Sequence, residues 1–163
     1  MKLAIIADTH IPRGTRTIPQ ACLDRCAQAD AILHAGDLTT LDVLDLLNEL
    51  GPPVHAIHGN VDGAAVRNVL PEARQDRFAS CTIAMVHDPG PRAGRVERLR
   101  TRFPEADAVV FGHTHMPEHQ EGAGSFQIFN PGSPTERRKA PRHTMGEATV
   151  TAGRVWFELV HLD

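Results

Sequence analysis

The chain has 163 residues, of which 41% are hydrophobic and 23% charged, and its formal net charge is −3. That length suits one domain over residues 1–163 able to withdraw roughly 70% of the unfolded chain's surface from water, and the mild negative charge excludes a nucleic-acid surface driven by bulk charge, leaving nucleic acid only as a substrate. No stretch approaches the about eighteen apolar residues of a membrane span, and the three cysteines, Cys22, Cys26 and Cys81, show no zinc-type pairing, so a reducing cytoplasm is the expected setting.

Met1 and Lys2 lead into the apolar run 3–7, which stops at Asp8 and is too short for a secretory signal. Residues 2–7 are therefore read as a first strand, uncharged inside because both faces are covered. It ends in Asp8-Thr9-His10. A loop with two prolines follows, and then a helix over 20–28, on which Cys22 and Cys26 lie one turn apart and face a core. A second short strand, 31–34, ends in Ala35-Gly36-Asp37. Thr39 or Thr40 caps the next helix, whose apolar face is Leu41, Leu44, Leu47 and Leu50. Gly51-Pro52-Pro53 stops it. A third strand, 54–57, runs into His58-Gly59-Asn60-Val61-Asp62-Gly63.

The second half changes character. Residues 70–78 read as irregular, with a turn after Phe78; 81–86 is a strand ending in His87-Asp88-Pro89. A charged helix over 92–102 points Val96 and Leu99 inward. The apolar run 108–111 is a buried strand ending in Gly112-His113-Thr114-His115, where Gly112 would allow a left-handed turn. Residues 125–129 form a strand before Asn130-Pro131-Gly132-Ser133, a loop expected to buttress its neighbours through turn chemistry. The segments 145–151 and 154–160 alternate around Ala152-Gly153 as a terminal hairpin, with Trp156 expected in the core.

Strands alternating with helices predict parallel pairing with right-handed crossovers. Parallel strands align their carboxyl ends, where open α/β sheets bind ligands. Topology thus gathers Asp8, His10, Asp37 and Asn60, and the later strand ends add His87, His113 and His115. Two carboxylates about 4 Å apart would repel by roughly 4 kcal/mol at an effective dielectric near 20, and no lysine lies in these loops. A cation is the expected remedy. Seven mixed oxygen and nitrogen donors exceed the usual needs of one transition ion and suit two, and imidazole with carboxylate suits manganese, iron, nickel or zinc rather than calcium.

Asp-x-His, Gly-Asp, Gly-Asn, a lone strand-end His and Gly-His-x-His, in this order, resemble the calcineurin-like metallophosphoesterases, over nearly the whole chain. Gly59-Asn60-Val61-Asp62 and Asn130-Pro131-Gly132-Ser133 are similar to the small bacterial and archaeal phosphodiesterase branch. The resemblance implies an α/β fold, a sandwich of two mixed β-sheets flanked by α-helices. It implies two divalent metal ions, manganese first, with nickel, iron, zinc or magnesium as alternatives. Asp8, His10 and His115 would hold one ion and Asn60, His87 and His113 the other, with Asp37 bridging.

Such a pair, roughly 3.5–4 Å apart, clamps a phosphoryl oxygen and lowers the pKa of a bridging water, which attacks phosphorus as hydroxide. Counting charges leaves about one positive, which favours a small phosphodiester over a monoester as substrate. Many relatives have Gly-Asn-His-Glu, whose histidine helps protonate the leaving group. Here Asp62 either fills that catalytic role or leaves it vacant. Many also carry His-Gly-His where this chain has His87-Asp88-Pro89.

Arg13, Arg137 and Arg138 are candidates for binding the substrate phosphate, against the plainer reading of a solvated basic face. His34 and His58 are read as satisfied strand-end residues, and His55, His119, His143 and His161 as surface ones. The alternatives to a diesterase are a phosphomonoesterase or nuclease on the same site, and a non-catalytic scaffold of the retromer-subunit type. Presence of the whole ligand set favours the enzyme. The sequence leaves a homo-oligomer open.

Overall fold

The structure is a computed structural model describing residues 1–163. Strand β1 (Lys2–Ile6) is followed by α1 (Gln20–Ala27), β2 (Ala31–His34), α2 (Leu41–Asn48), β3 (Val54–Ala56) and α3 (Ala64–Arg67). Then come β4 (Ala73–Phe78), β5 (Cys81–Val86), α4 (Arg95–Arg102), β6 (Ala108–Val110), β7 (Glu118–Glu121), β8 (Gln127–Asn130), β9 (Thr144–Thr151) and β10 (Arg154–His161).

Two mixed five-stranded sheets result. One has the order β10-β9-β1-β2-β3 and the other β4-β5-β6-β8-β7. In the first, β1, β2 and β3 pair in parallel while β9 and β10 run antiparallel. In the second, β5, β6 and β8 are parallel, with antiparallel β4 and β7 along the edges.

The period of two along each central strand decides what goes where. Leu3 and Ile5 of β1, Leu33 of β2, Ile83 and Met85 of β5 and Val110 of β6 meet between the sheets with Phe78 and Phe129. Ala4, Ile6 and Ile32 face outward onto Cys22 and Cys26 of α1 and Val43 and Leu47 of α2. On the far side Ala84, Val86, Val109 and Ile128 meet Leu99 and Phe103 at α4. Strands clothed on both faces need continuous apolar runs, which is why β1 after the exposed Lys2, and all of β6, carry no charge.

Five features differ from the sequence reading. Residues 73–78 are not irregular: they pair with β5, and Ala-Arg-Gln-Asp-Arg-Phe escapes hydropathy patterning because an edge strand carries charge. The short edge strand β7, Glu-His-Gln-Glu, is hidden for the same reason. In α2 the buried residues are Val43 and Leu47, with Leu41, Leu44 and Leu50 only partly covered. Thr40 precedes that helix without capping it, its hydroxyl donating to the Ile11 carbonyl instead. Trp156 is corrected as well: it is 55% exposed and lies under the Arg154 guanidinium, opposite the inward Val155.

Candidate metal centre

All five loops that carry the candidate donors leave the carboxyl ends of parallel strands, β1, β2, β3, β5 and β6. They are knitted to one another by backbone bonds from Asp8 N–H to the Gly36 carbonyl (3.0 Å), His10 N–H to Asp37 (3.0 Å) and Gly112 N–H to His87 (3.1 Å). The His113 N–H donates to Asp8 Oδ1 at 3.1 Å. The 130–133 loop braces this edge from outside. Asn130 Nδ2 donates to the Gly112 carbonyl, Ser133 Oγ to the Asp8 carbonyl (2.8 Å), and Thr135 Oγ1 to the Thr9 carbonyl (2.6 Å).

Asp8, His10, Asp37, His113 and His115 all have positive φ, between 46° and 69°. Left-handed backbone is uncommon outside glycine, and such residues cluster where structure over-determines them, at a cost of about 1–3 kcal/mol each. Gly112 itself is not left-handed, contrary to the sequence expectation. It is needed for space, because a Cβ there would come within 2.9 Å of Asp8 Oδ2. Gly36 serves both needs, with φ +92° and His87 Nδ1 only 2.7 Å from a would-be Cβ.

The seven candidate donors form two groups. Asp8, His10 and His115 are buried, with His115 Nε2 3.5 Å and His10 Nε2 3.8 Å from Asp8 Oδ1. Around the exposed Asn60, Oδ1 stands 3.1 Å from His87 Nε2 and 2.9 Å from His113 Nδ1. Asp37 lies between the groups. Its Oδ2 is 3.1 Å from His87 Nε2 and 3.5 Å from His10 Nε2, while Oδ1 accepts the Val61 N–H. Asp8, Asp37 and His87 also converge closely enough to share an ion, so Asp8 serves either group.

Three atoms test whether metal fits. Asp8 Oδ2, His10 Nε2 and His115 Nε2 are buried without any hydrogen-bond partner. Leaving such atoms unsatisfied is costly, and buried polar atoms in folded proteins are almost always paired. All three belong to metal-donor side chains that converge, with both Nε2 atoms facing the Asp8 carboxylate. His115 donates Nδ1–H to the Glu136 carbonyl, which leaves its Nε2 lone pair free, and His87 donates Nδ1–H to the Ala35 carbonyl (2.8 Å), which turns its Nε2 toward Asp37 and Asn60.

Burial works to raise the Asp37 carboxyl pKa, yet the His87 hydrogen bond and charge with the Val61 N–H hold it below the usual range. Burial pulls His87 down, and the Asp37 bond with the charges of Asp8 and Asp37 pushes it above its ordinary value. For His115 burial wins and the ring stays neutral more readily than usual.

Asp62 is buried and fully used. Its carboxylate accepts the backbone N–H groups of Asp37 (3.0 Å), Thr39 (2.6 Å) and Gly59 (2.7 Å), tying the Asp37 and Asn60 loops together. Arg67, which sequence reasoning missed, finishes that knot by donating to the carbonyls of Asp62, Gly59 and Asn60. Of the proposed phosphate-binding arginines, Arg13 is paired with Glu136 (3.1 Å), Arg137 donates to the Ala140 carbonyl, and Arg138 is exposed near His115. No motif announces Arg67 or Glu136; each acts through the fold.

A model of the calcineurin-like phosphoesterase superfamily domain matches residues 1–153. The chain belongs to that superfamily. It is 36% identical to a probable metallophosphoesterase of Methanothermobacter thermautotrophicus over 140 residues, covering 85% of this chain and 80% of that one. A probable metallophosphoesterase of Methanocaldococcus jannaschii is 32% identical over 141 residues, covering 85% and 70%. Among solved structures, the phosphoesterase-superfamily fold is shared with Entamoeba histolytica Vps29 complexed with zinc (TM-score 0.77, 24% identity, all of both chains). No helix of this member of the superfamily is long and apolar enough to cross a membrane.

His34 supports the site from behind. Its ring contacts Thr9 Oγ1 (3.1 Å) and accepts the Gly36 N–H (3.2 Å), and burial lowers its pKa to about 3. Unfolded, it titrates near its ordinary value, about 6.5. Below that pH the unfolded chain binds a proton that the folded one refuses, so stability is complete only above about pH 6.5 and falls by about 1.4 kcal/mol per unit from there down to the folded pKa. Urea midpoints in chelator should therefore drop between pH 7 and pH 5, and His34→Gln should flatten that part of the profile. An equal drop in the variant would remove His34 as the cause.

Proposed function

We propose that this chain is a dinuclear-metal phosphodiesterase acting on small phosphodiesters, with Asp8, His10 and His115 holding one divalent ion, Asn60, His87 and His113 the other, and Asp37 bridging. The observation carrying this is the trio of buried, unpartnered donors at Asp8 Oδ2, His10 Nε2 and His115 Nε2, beside a second convergent set on Asn60. Two such ions would polarise a phosphoryl oxygen and lower the pKa of water between them. The protein's own part is to present seven donors from five braced loops, so that little reorganisation is left for the reaction.

Charge favours the diester. Two divalent ions against two carboxylates and a hydroxide leave about one positive charge, matched to one negative charge better than two. A cleft of about 360 Å³ opens beside Asn60 and His87, with Arg67 and Arg102 on its walls, and gives room for a second ester substituent. Manganese is the ion proposed first, and the chain is read as one domain over 1–163 working in the cytoplasm. The fold shared with Vps29 supports the scaffold alternative, but the orphaned donors favour hydrolysis.

Asp62 is assigned a bracing role, since three backbone N–H donors already occupy its carboxylate. With no acid for the leaving group, nitrophenyl diesters should turn over well and alkyl diesters poorly. Rates that do not depend on leaving-group pKa would remove this idea. The function itself is tested by supplying manganese, nickel, magnesium or zinc separately with bis-nitrophenyl phosphate and nitrophenyl phosphate. Faster diester cleavage is expected; metal-dependent cleavage of the monoester alone would make this a monoesterase, and none at all would favour the scaffold.

A further inference from the structure

Glu136 follows the bracing loop and belongs to no motif, yet it meets both histidines of the buried donor group through different atoms. Its backbone carbonyl accepts the Nδ1–H of His115. Its carboxylate Oε2 stands 3.7 Å from Nδ1 of His10, the nitrogen facing away from Asp8 and Asp37. The two imidazoles are stacked, with centroids 5.0 Å apart and planes inclined by 29°. Both Nε2 atoms are the buried ones that lack partners. One residue therefore sets an oxygen beside the outer nitrogen of each ring, hydrogen-bonded at His115 and 3.7 Å away at His10, while both inner nitrogens face the space where an ion would sit.

Glu136 is itself held firmly. Its N–H donates to Ser133 Oγ (2.8 Å), and its carboxylate receives Arg13 Nη1 (3.1 Å) and Arg16 Nη1 (3.2 Å). Arg16 also reaches the His10 carbonyl at 3.4 Å. Paired with two guanidinium groups, the carboxylate turns an acceptor oxygen toward the outer edge of the His10 ring. Partners of this kind on the far nitrogen orient metal-ligating histidines and raise their basicity.

We propose that Glu136 is the positioning residue for the buried ion, setting the tautomer and orientation of His10 directly and of His115 through its carbonyl. This rests on the metal-centre reading above. It also explains Arg13 and Arg16, which hold the Glu136 carboxylate against His10.

The test is calorimetric titration of Mn²⁺ into chelator-treated protein, which reads affinity without turnover. Wild type should bind two equivalents. Glu136→Ala should weaken one of them by about 10–100-fold, the usual scale for losing an outer partner of a ligand histidine, and spare the other. Glu136→Gln, which keeps an acceptor oxygen at the same reach, should recover most of that loss. Arg13→Ala combined with Arg16→Ala removes the anchoring pairs but leaves Glu136 in place and should lose less than Glu136→Ala.

Unchanged affinity in Glu136→Ala, equal weakening of both equivalents, or an equal loss in the arginine double variant would overturn the proposal while leaving the metal centre standing. If Glu136→Ala does not fold, Glu136→Leu, which keeps the bulk and offers no acceptor, takes its place, and wild-type affinity there overturns the proposal likewise. A wild-type protein that takes up no Mn²⁺ overturns the metal centre first, and this inference with it.

Discussion

Asp37→Asn is expected to lower phosphodiester turnover by roughly 10³-fold or more, equivalent to about 4 kcal/mol of transition-state stabilisation. Asparagine keeps the shape of the side chain and the oxygen that accepts the Val61 N–H, so the loop should survive. What it loses is the negative oxygen 3.1 Å from His87 Nε2 and 3.5 Å from His10 Nε2, which faces both donor groups. Wild type with Mn²⁺ at about a hundred times its dissociation constant should gain about 2.7 kcal/mol of stability. In Asp37→Asn that metal-induced rise in Tm should largely vanish, while melts in chelator stay close to wild type. A full Mn²⁺-induced shift with full turnover would mean that Asp37 bridges nothing.

Gly59→Ala should be nearly as damaging, though it adds one methyl and removes no donor. A Cβ at Gly59 would lie 2.1 Å from Asp37 Oδ1 and 2.6 Å from the Asp37 backbone nitrogen. Nothing at those distances can stay in place, and the backbone cannot retreat because the Gly59 N–H is bound to Asp62 Oδ2. The Asp37 carboxylate must move. A displacement of about 1 Å at a reacting centre costs on the order of 10² in rate. Gly63→Ala is the control: a Cβ there meets no atom within 4 Å, and its backbone is not left-handed. Equal activity in the two alanine variants would show that the Asp37 loop is softer than its packing implies.

How much of this was legible in the chain depends on which force writes each element. Central strands and their polar exits are written in hydropathy, because burial on both faces forces an apolar run and the run stops where the site begins. Hence β1, β2, β5 and β6 and the gathering of their strand-end donors could be read directly. Edge strands β4 and β7 carry the charges that keep a free edge solvated, and patterning cannot see them. Asp62, Arg67 and Glu136 act through partners distant in sequence or through backbone atoms, which no local pattern records. Trp156 misled because size suggests burial, while strand alternation turned it outward.

The left-handed corners constrain the site twice over. Asp, Asn and His are among the few residues with a side chain that adopt such dihedrals readily. Asp8, His10, Asp37, His113 and His115 therefore satisfy the geometry of their turns as well as any ion they hold. A lineage of this fold that gave up its ions would still be pressed to keep small polar residues at those five corners. Erosion of the donor set would begin instead at Asn60 and His87, where the main chain makes no such demand.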